Sequence, residues 1–207
     1  MYIGENASSM IHGFRGASEG GKIGWTPRKA DVGFYGVTVN DIKVNGVSIG
    51  VSPSIYNKGD AIVDSGTSDV CLPHSAFEAL KEAFVSICTN GTACLKGICD
   101  CKTHKVLEKP IFEERCVQMT LKEREAYPMV EVEFEGGLVV PHPPSSYLRN
   151  DTIFCDEDYW TIAIESEGRD GSGTIFGDTF MQGFNVIHDR RHPQRIGFAK
   201  VANGECP

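Results

Sequence analysis

The sequence holds no C-x2-C pair, no apolar run near the ~18 residues of a membrane span, and no excess of basic residues, with 20 Lys and Arg against 28 Asp and Glu. The first absence argues against a zinc site, so no metal and no cofactor are expected. The second argues against a membrane segment within this chain. The third, with a net charge of −8, argues against nucleic acid or an anionic membrane surface as the main partner. Long helical patterns are scarce, whereas Gly (23) and Pro (10) are plentiful, which favours β-rich architecture. The opening stretch "MYIGENASSM" has neither the basic nor the apolar region of an export signal.

What is present is the composition of a globular chain. Of 207 residues, 41 % are hydrophobic and 23 % charged, enough for a substantial core. No internal repeat and no linker stand out, so a single β-rich domain is expected. Eight cysteines, Cys71, Cys88, Cys94, Cys99, Cys101, Cys116, Cys155 and Cys206, suit an oxidising compartment. Three N-x-S/T sequons, at Asn6, Asn90 and Asn150, agree with that reading. The expected location is secreted or endosomal/lysosomal. Without an export signal, that location implies sequence missing on the N-terminal side.

Along the chain, "VGFYGVTVNDIKVNGVSIGV" (32–51) alternates around Asn45-Gly46, a hairpin signature. A helix is expected after Pro73, with Ser75 and Glu78 as a capping box and Phe77, Leu80, Phe84 and Ile87 as its apolar stripe. Residues 88–105 lack periodicity and read as a Cys-rich surface loop whose four cysteines pair locally. "MVEVEFEGGLVVPH" (129–142) reads as strand, turn, strand: Val130, Val132 and Phe134 share a face, and the intervening glutamates are solvated. Strands are also expected over 159–166, within 173–189 and over 194–201, with a short turn or helix near Asp178–Gln182. His142 and His188 sit among apolar neighbours with no second ligand at metal spacing.

The stretch "AIVDSGTSDVCLP" (61–73) stands apart. A short apolar strand runs into Asp64 and turns at once. Gly66 permits close backbone approach, and Ser65, Thr67 and Ser68 supply hydroxyls that can hold a carboxylate. Such a turn can be an ordinary Asx turn or a site of acid–base chemistry.

Three segments together resemble the pepsin-like aspartic peptidases (peptidase family A1). They are "AIVDSGTS", "GTIFGDTFMQGFNVIHDRRHPQRIGFAKV" and the earlier "GGKIGWTP" before "GFYGVTVNDIKVNG". The order and spacing match the C-terminal half of that family and cover nearly the whole chain. The resemblance implies an all-β fold with a few short helices, the C-terminal lobe of a bilobal acid protease, with residues 1–30 as the inter-lobe segment. It implies that Asp64 is the second catalytic aspartate and that Ser65, Gly66, Thr67 and Ser68 support its loop. Ile175, Phe176 and Gly177 would form the strand behind that loop, with Asp178 and the Asp189–Arg190 turn structural. It also implies a Cys116–Cys155 disulfide. Cys71 and Cys206 could pair together or reach an absent lobe.

Aspartic proteolysis needs two carboxylates, and D-[ST]-G occurs once in these 207 residues. The expected partners are therefore a peptide or protein substrate and an N-terminal lobe, most simply from the same full-length chain. Alternatives are a non-catalytic pepsin-fold binding or inhibitor protein, an inactive isolated lobe, and a homodimer on the retroviral plan with one Asp64 from each copy.

Overall fold

The computed structural model describes residues 2–3, 23–108, 111–113, 116–150 and 155–201. Among the described residues strands dominate, and the helices, one excepted, are of five residues or fewer. This is the expected mainly-β architecture with a few short helices.

Local chemistry makes the hairpins. Strand β4 (Val39–Val44) turns into β5 (Val47–Ser48) through Asn45 and Gly46, both at positive φ (50° and 78°), as a two-residue hairpin requires. Strand β9 (Val130–Phe134) turns into β10 (Leu138–His142) through Gly136 and Gly137, again at positive φ. In β9, Val130, Val132 and Phe134 are buried in alternation, while Glu133 pairs with Lys43 at 2.6 Å. These strands form one sheet in the order β10-β9-β4-β5.

A second sheet, β1-β15-β16-β2, contains β1 (Tyr2–Ile3), β15 (Phe184–Asp189), β16 (Arg195–Lys200) and β2 (Gly24–Pro27). The expected inter-lobe segment thus supplies two strands of this sheet, β1 and β2, and residues 1 and 4–22 lie outside the described residues. The expected strand 159–166 is two elements. β12 (Tyr159–Ile162) pairs with β11 (Leu148–Arg149) and β8 (Val117–Gln118), whereas β13 (Ile164–Ser166) joins a five-stranded sheet. The break falls at buried Ala163, whose N–H donates to the Tyr147 carbonyl at 2.7 Å and whose carbonyl accepts from Val70 N–H at 3.1 Å.

The five-stranded sheet has the order β13-β7-β14-β6-β3, with β3 (Gly36–Val37), β6 (Ala61–Val63), β7 (Val70–Leu72) and β14 (Thr174–Phe176). Around these sheets lie α1 (Pro53–Asn57), α2 (His74–Thr89), α3 (Leu121–Glu125), α4 (Pro144–Tyr147) and α5 (Asp178–Met181). Phe134 joins the sheets, with ring centroids 5.3 Å from Phe176 and 5.9 Å from Phe198.

Helix α2 buries Phe77, Leu80 and Phe84, with Ile87 partly buried. Its start differs from expectation. Ser75 lies inside the helix, and both its N–H (2.8 Å) and its hydroxyl donate to Asp170, 95 residues away. A distant carboxylate does the work assigned to Glu78. The local capping box belongs to α3 instead: Thr120 Oγ1 accepts from Glu123 N–H, and the Glu123 carboxylate accepts from Thr120 N–H at 2.7 Å. The Cys-rich segment also differs from a surface loop. Cys88 closes the last turn of α2, and Leu95, Ile98 and Cys99 are buried, so the inner side of the segment joins the main apolar core.

Candidate active site

The position of Asp64 follows from how β14 is inserted. β14 runs parallel to β6 on one side and antiparallel to β7 on the other. The chain leaving β6 must therefore cross the end of β14 to enter β7, and residues 64–69 make that crossing. Asp64 N–H donates to the Phe176 carbonyl at 3.0 Å, Asp178 N–H to the Thr67 carbonyl at 2.8 Å, and Thr179 N–H to the Ser68 carbonyl at 2.9 Å. Gly177 lies under the loop. A Cβ there would come within 2.4 Å of both the Thr67 and the Asp69 carbonyl oxygens, so only glycine lets the two backbones meet.

Alternation along β6 buries Ala61 and Val63 and carries Asp64 onto the half-exposed face with Ile62. Register places Ile175 and Cys71 beside Ile62 in one row on that face. The carboxylate is held at both oxygens: Gly66 N–H donates to Oδ1 at 2.9 Å and Thr67 Oγ1 to Oδ2 at 2.8 Å. Each oxygen keeps a lone pair for another donor. Ser65, Gly66 and Ser68 are exposed, and Thr67 is half-buried.

Asp64 and Ser65 open onto a cleft of about 350 Å³, with Arg28, Tyr35, His188 and Arg190 in its walls. Tyr35 is tied to the strand below, its carbonyl accepting from Val63 N–H at 3.1 Å. The His188 ring packs on Tyr35 at 3.8 Å, and burial pushes its imidazole down to about 4. The other carboxylate lining the cleft is Asp189, 3 % exposed. It accepts from Arg191 Nε (2.9 Å) and a terminal Arg191 nitrogen (2.7 Å), and from Arg195 Nε at 2.9 Å. Arg191 first, then Arg195, hold it well below the usual carboxylate range. A carboxylate so committed is not available to share a proton with Asp64.

Sequence reasoning missed Asp69 and Arg149. Asp69, 7 % exposed, accepts from Arg149 at 2.6 Å and pins the loop's exit to β11. Nothing local signals a pairing across 80 residues. Among the described residues three disulfides are present: Cys88–Cys99, Cys94–Cys101 and Cys116–Cys155. Cys71 forms none among the described residues. Its burial, with Glu167 and Glu165 beside it, pushes the thiol up to about 12. Cys206 and Asn6 lie outside the described residues. Asn90 is exposed at the end of α2, whereas Asn150 is half-buried and donates its amide to the Tyr159 carbonyl at 2.9 Å. Among the described residues, no group of three His, Cys, Asp or Glu side chains is placed to hold a metal, and no helix is long and apolar enough to cross a membrane.

A family model described as eukaryotic aspartyl protease matches residues 4–201. A beta-secretase of Strongylocentrotus purpuratus is 28 % identical over an alignment covering 100 % of this chain and 36 % of that protein. Pepsin-2B of Gadus morhua is 27 % identical, over 96 % of this chain and 51 % of the relative. Pepsin A of Bos taurus is 26 % identical, over 96 % and 45 % respectively. The chain thus spans about a third to a half of the length of these relatives.

Proposed function

Because the chain belongs to the eukaryotic aspartyl protease family, we propose that it is the C-terminal lobe of a pepsin-like endopeptidase and contributes Asp64 as one of two catalytic aspartates. The observation that carries this reading is the carboxylate itself. It is fixed by one donor at each oxygen on a loop buttressed from below, and it opens onto a cleft.

In the proposed reaction, two facing carboxylates share one proton. The ionised one takes a proton from a water molecule, which attacks the scissile carbonyl carbon. The protonated one donates toward the carbonyl oxygen, giving a tetrahedral diol. Proton return to the leaving nitrogen then breaks the C–N bond. The two titrations belong to the pair rather than to either residue. Gly66 and Thr67 orient Asp64, and Gly177 and the strand of Ile175 and Phe176 support the loop. Ser65 and Ser68 lie on the exposed side, where a facing lobe would meet them.

The second aspartate is assigned to sequence outside these 207 residues. The single D-S-G motif supports this, as do the commitment of Asp189 to arginine and the length of the relatives. Phe34, 67 % exposed at the cleft, is a side chain that a covering lobe would bury. Three disulfides and the sequons support maturation in the secretory pathway. The test uses the full-length protein with both aspartates in place. It should cleave an unfolded protein substrate at acidic pH and lose that activity to a statine-type transition-state analogue. A full-length protein that neither cleaves nor binds the analogue would overturn the reading in favour of a non-catalytic binding protein.

A further inference from the structure

His142 ends β10 and is 1 % exposed, and neither ring nitrogen has a hydrogen-bond partner among the described residues. Its ring lies between Tyr147 of α4 (5.5 Å) and Phe180 of α5 (5.4 Å). A buried imidazole normally finds at least one partner. Here burial favours the neutral ring, and among the described residues no carboxylate bonds to it. On β9 its register partner is Val130, while Glu131 and Glu133 alternate to the other face. Strand β2 carries no charged residue. On α4 the titratable group is Tyr147, whose hydroxyl donates to the Pro128 carbonyl at 2.6 Å. On α5 it is Asp178, which is exposed.

The far side of this contact reaches the Asp64 loop. Phe180 belongs to the short helix that begins directly after Gly177, and the N–H groups of Asp178 and Thr179 hold the carbonyls of Thr67 and Ser68. We infer that His142 is an acid-sensitive latch: neutral, it fills the core against α5; protonated, it expels that packing and frees the loop that carries Asp64. The device sets a lower pH limit for this lobe. It is a property of the fold and holds whether or not Asp64 does chemistry.

Burial pushes the imidazole down to about 3, whereas in an unfolded chain a histidine titrates near 6.5. Between those values the unfolded state binds one more proton than the folded state. The folded state therefore loses ground as pH falls from 6.5 toward 3, and the loss levels off below. Between pH 6 and pH 4 this one group should lower the folded-to-unfolded ratio roughly 70-fold.

The test is urea unfolding of the 207-residue chain at pH 6 and pH 4, beside His142→Leu. The wild-type ratio should fall about 70-fold further than the variant's over that interval. Equal falls would overturn the latch. Should the variant not fold, NMR titration of the wild-type ring decides: a His142 resonance unchanged from pH 7 to pH 4 in the native state supports the latch, and titration near 6.5 overturns it. Protection factors at the Gly66, Asp178 and Thr179 amides, taken relative to intrinsic exchange at each pH, should fall in the same acid range, whereas a purely local effect at His142 would leave them unchanged and contradict the link to the loop.

Discussion

The loop from Asp64 to Asp69 and the segment from Cys88 to Cys101 are both irregular, yet the chain fixes them by different means. The first has no disulfide. The backbone donors of Asp178 and Thr179 hold it from below, and an ion pair holds its exit. The second is tied by two interleaved disulfides, 88–99 and 94–101, over an apolar floor of Leu95 and Ile98. Covalent ties limit how far a segment can wander. A lattice of short hydrogen bonds against a facing backbone sets where each atom sits, which a reacting carboxylate requires. The cost of that precision is intolerance: a single added methyl under the loop has nowhere to go.

The comparison breaks most sharply at Gly177. Gly177→Ala places a methyl against two carbonyl oxygens that belong to backbone and cannot rotate away. We expect a loss of about 4 kcal/mol or more in urea unfolding, with the protection of the Asp64 and Asp178 amides lost first. Removing the Cys88–Cys99 bridge by the double change to alanine should cost about 3 kcal/mol on loop-entropy grounds for a separation of 11 residues. The exchange protection of residues 64–69 should stay unchanged, and a shared loss would show that the two regions are not independent. Thr67→Val removes one hydroxyl donor from the carboxylate and leaves the loop's backbone bonds intact. It should cost about 1–2 kcal/mol and reduce turnover by the full-length protein roughly tenfold without moving KM.

What could be read in the sequence was what is local. Asn45-Gly46, the alternation of Val130, Val132 and Phe134, and the run of Ala61, Ile62 and Val63 into Asp64 each carry their geometry within a few residues. The structure's corrections come from partners far apart in the chain. Asp170 caps α2 across 95 residues, Arg149 meets Asp69 across 80, and Ala163 splits one apolar run between two sheets by bonding to Tyr147 and Val70. Leu95 and Ile98 are buried without periodicity, because the disulfides rather than a helix or strand present them to the core. The T-x-x-E box at Thr120–Glu123 was local and readable, whereas the one assigned to Ser75 lost to a distant carboxylate. For the site, the Asp64 loop was legible from its residues, while the cleft walls at Arg28, Tyr35 and His188 required the fold to bring them together.

The central claim is that this loop holds a reacting carboxylate rather than a structural turn. Asp64→Asn in the full-length protein tests it most directly, since the amide keeps the shape: its oxygen can still accept from Gly66 N–H, and its NH2 can donate to the Thr67 hydroxyl. The account predicts turnover lower by about 10² to 10⁴-fold with an unchanged urea midpoint. Turnover within a few fold of wild type, or a collapse of stability in step with it, would contradict the claim and return Asp64 to a structural role.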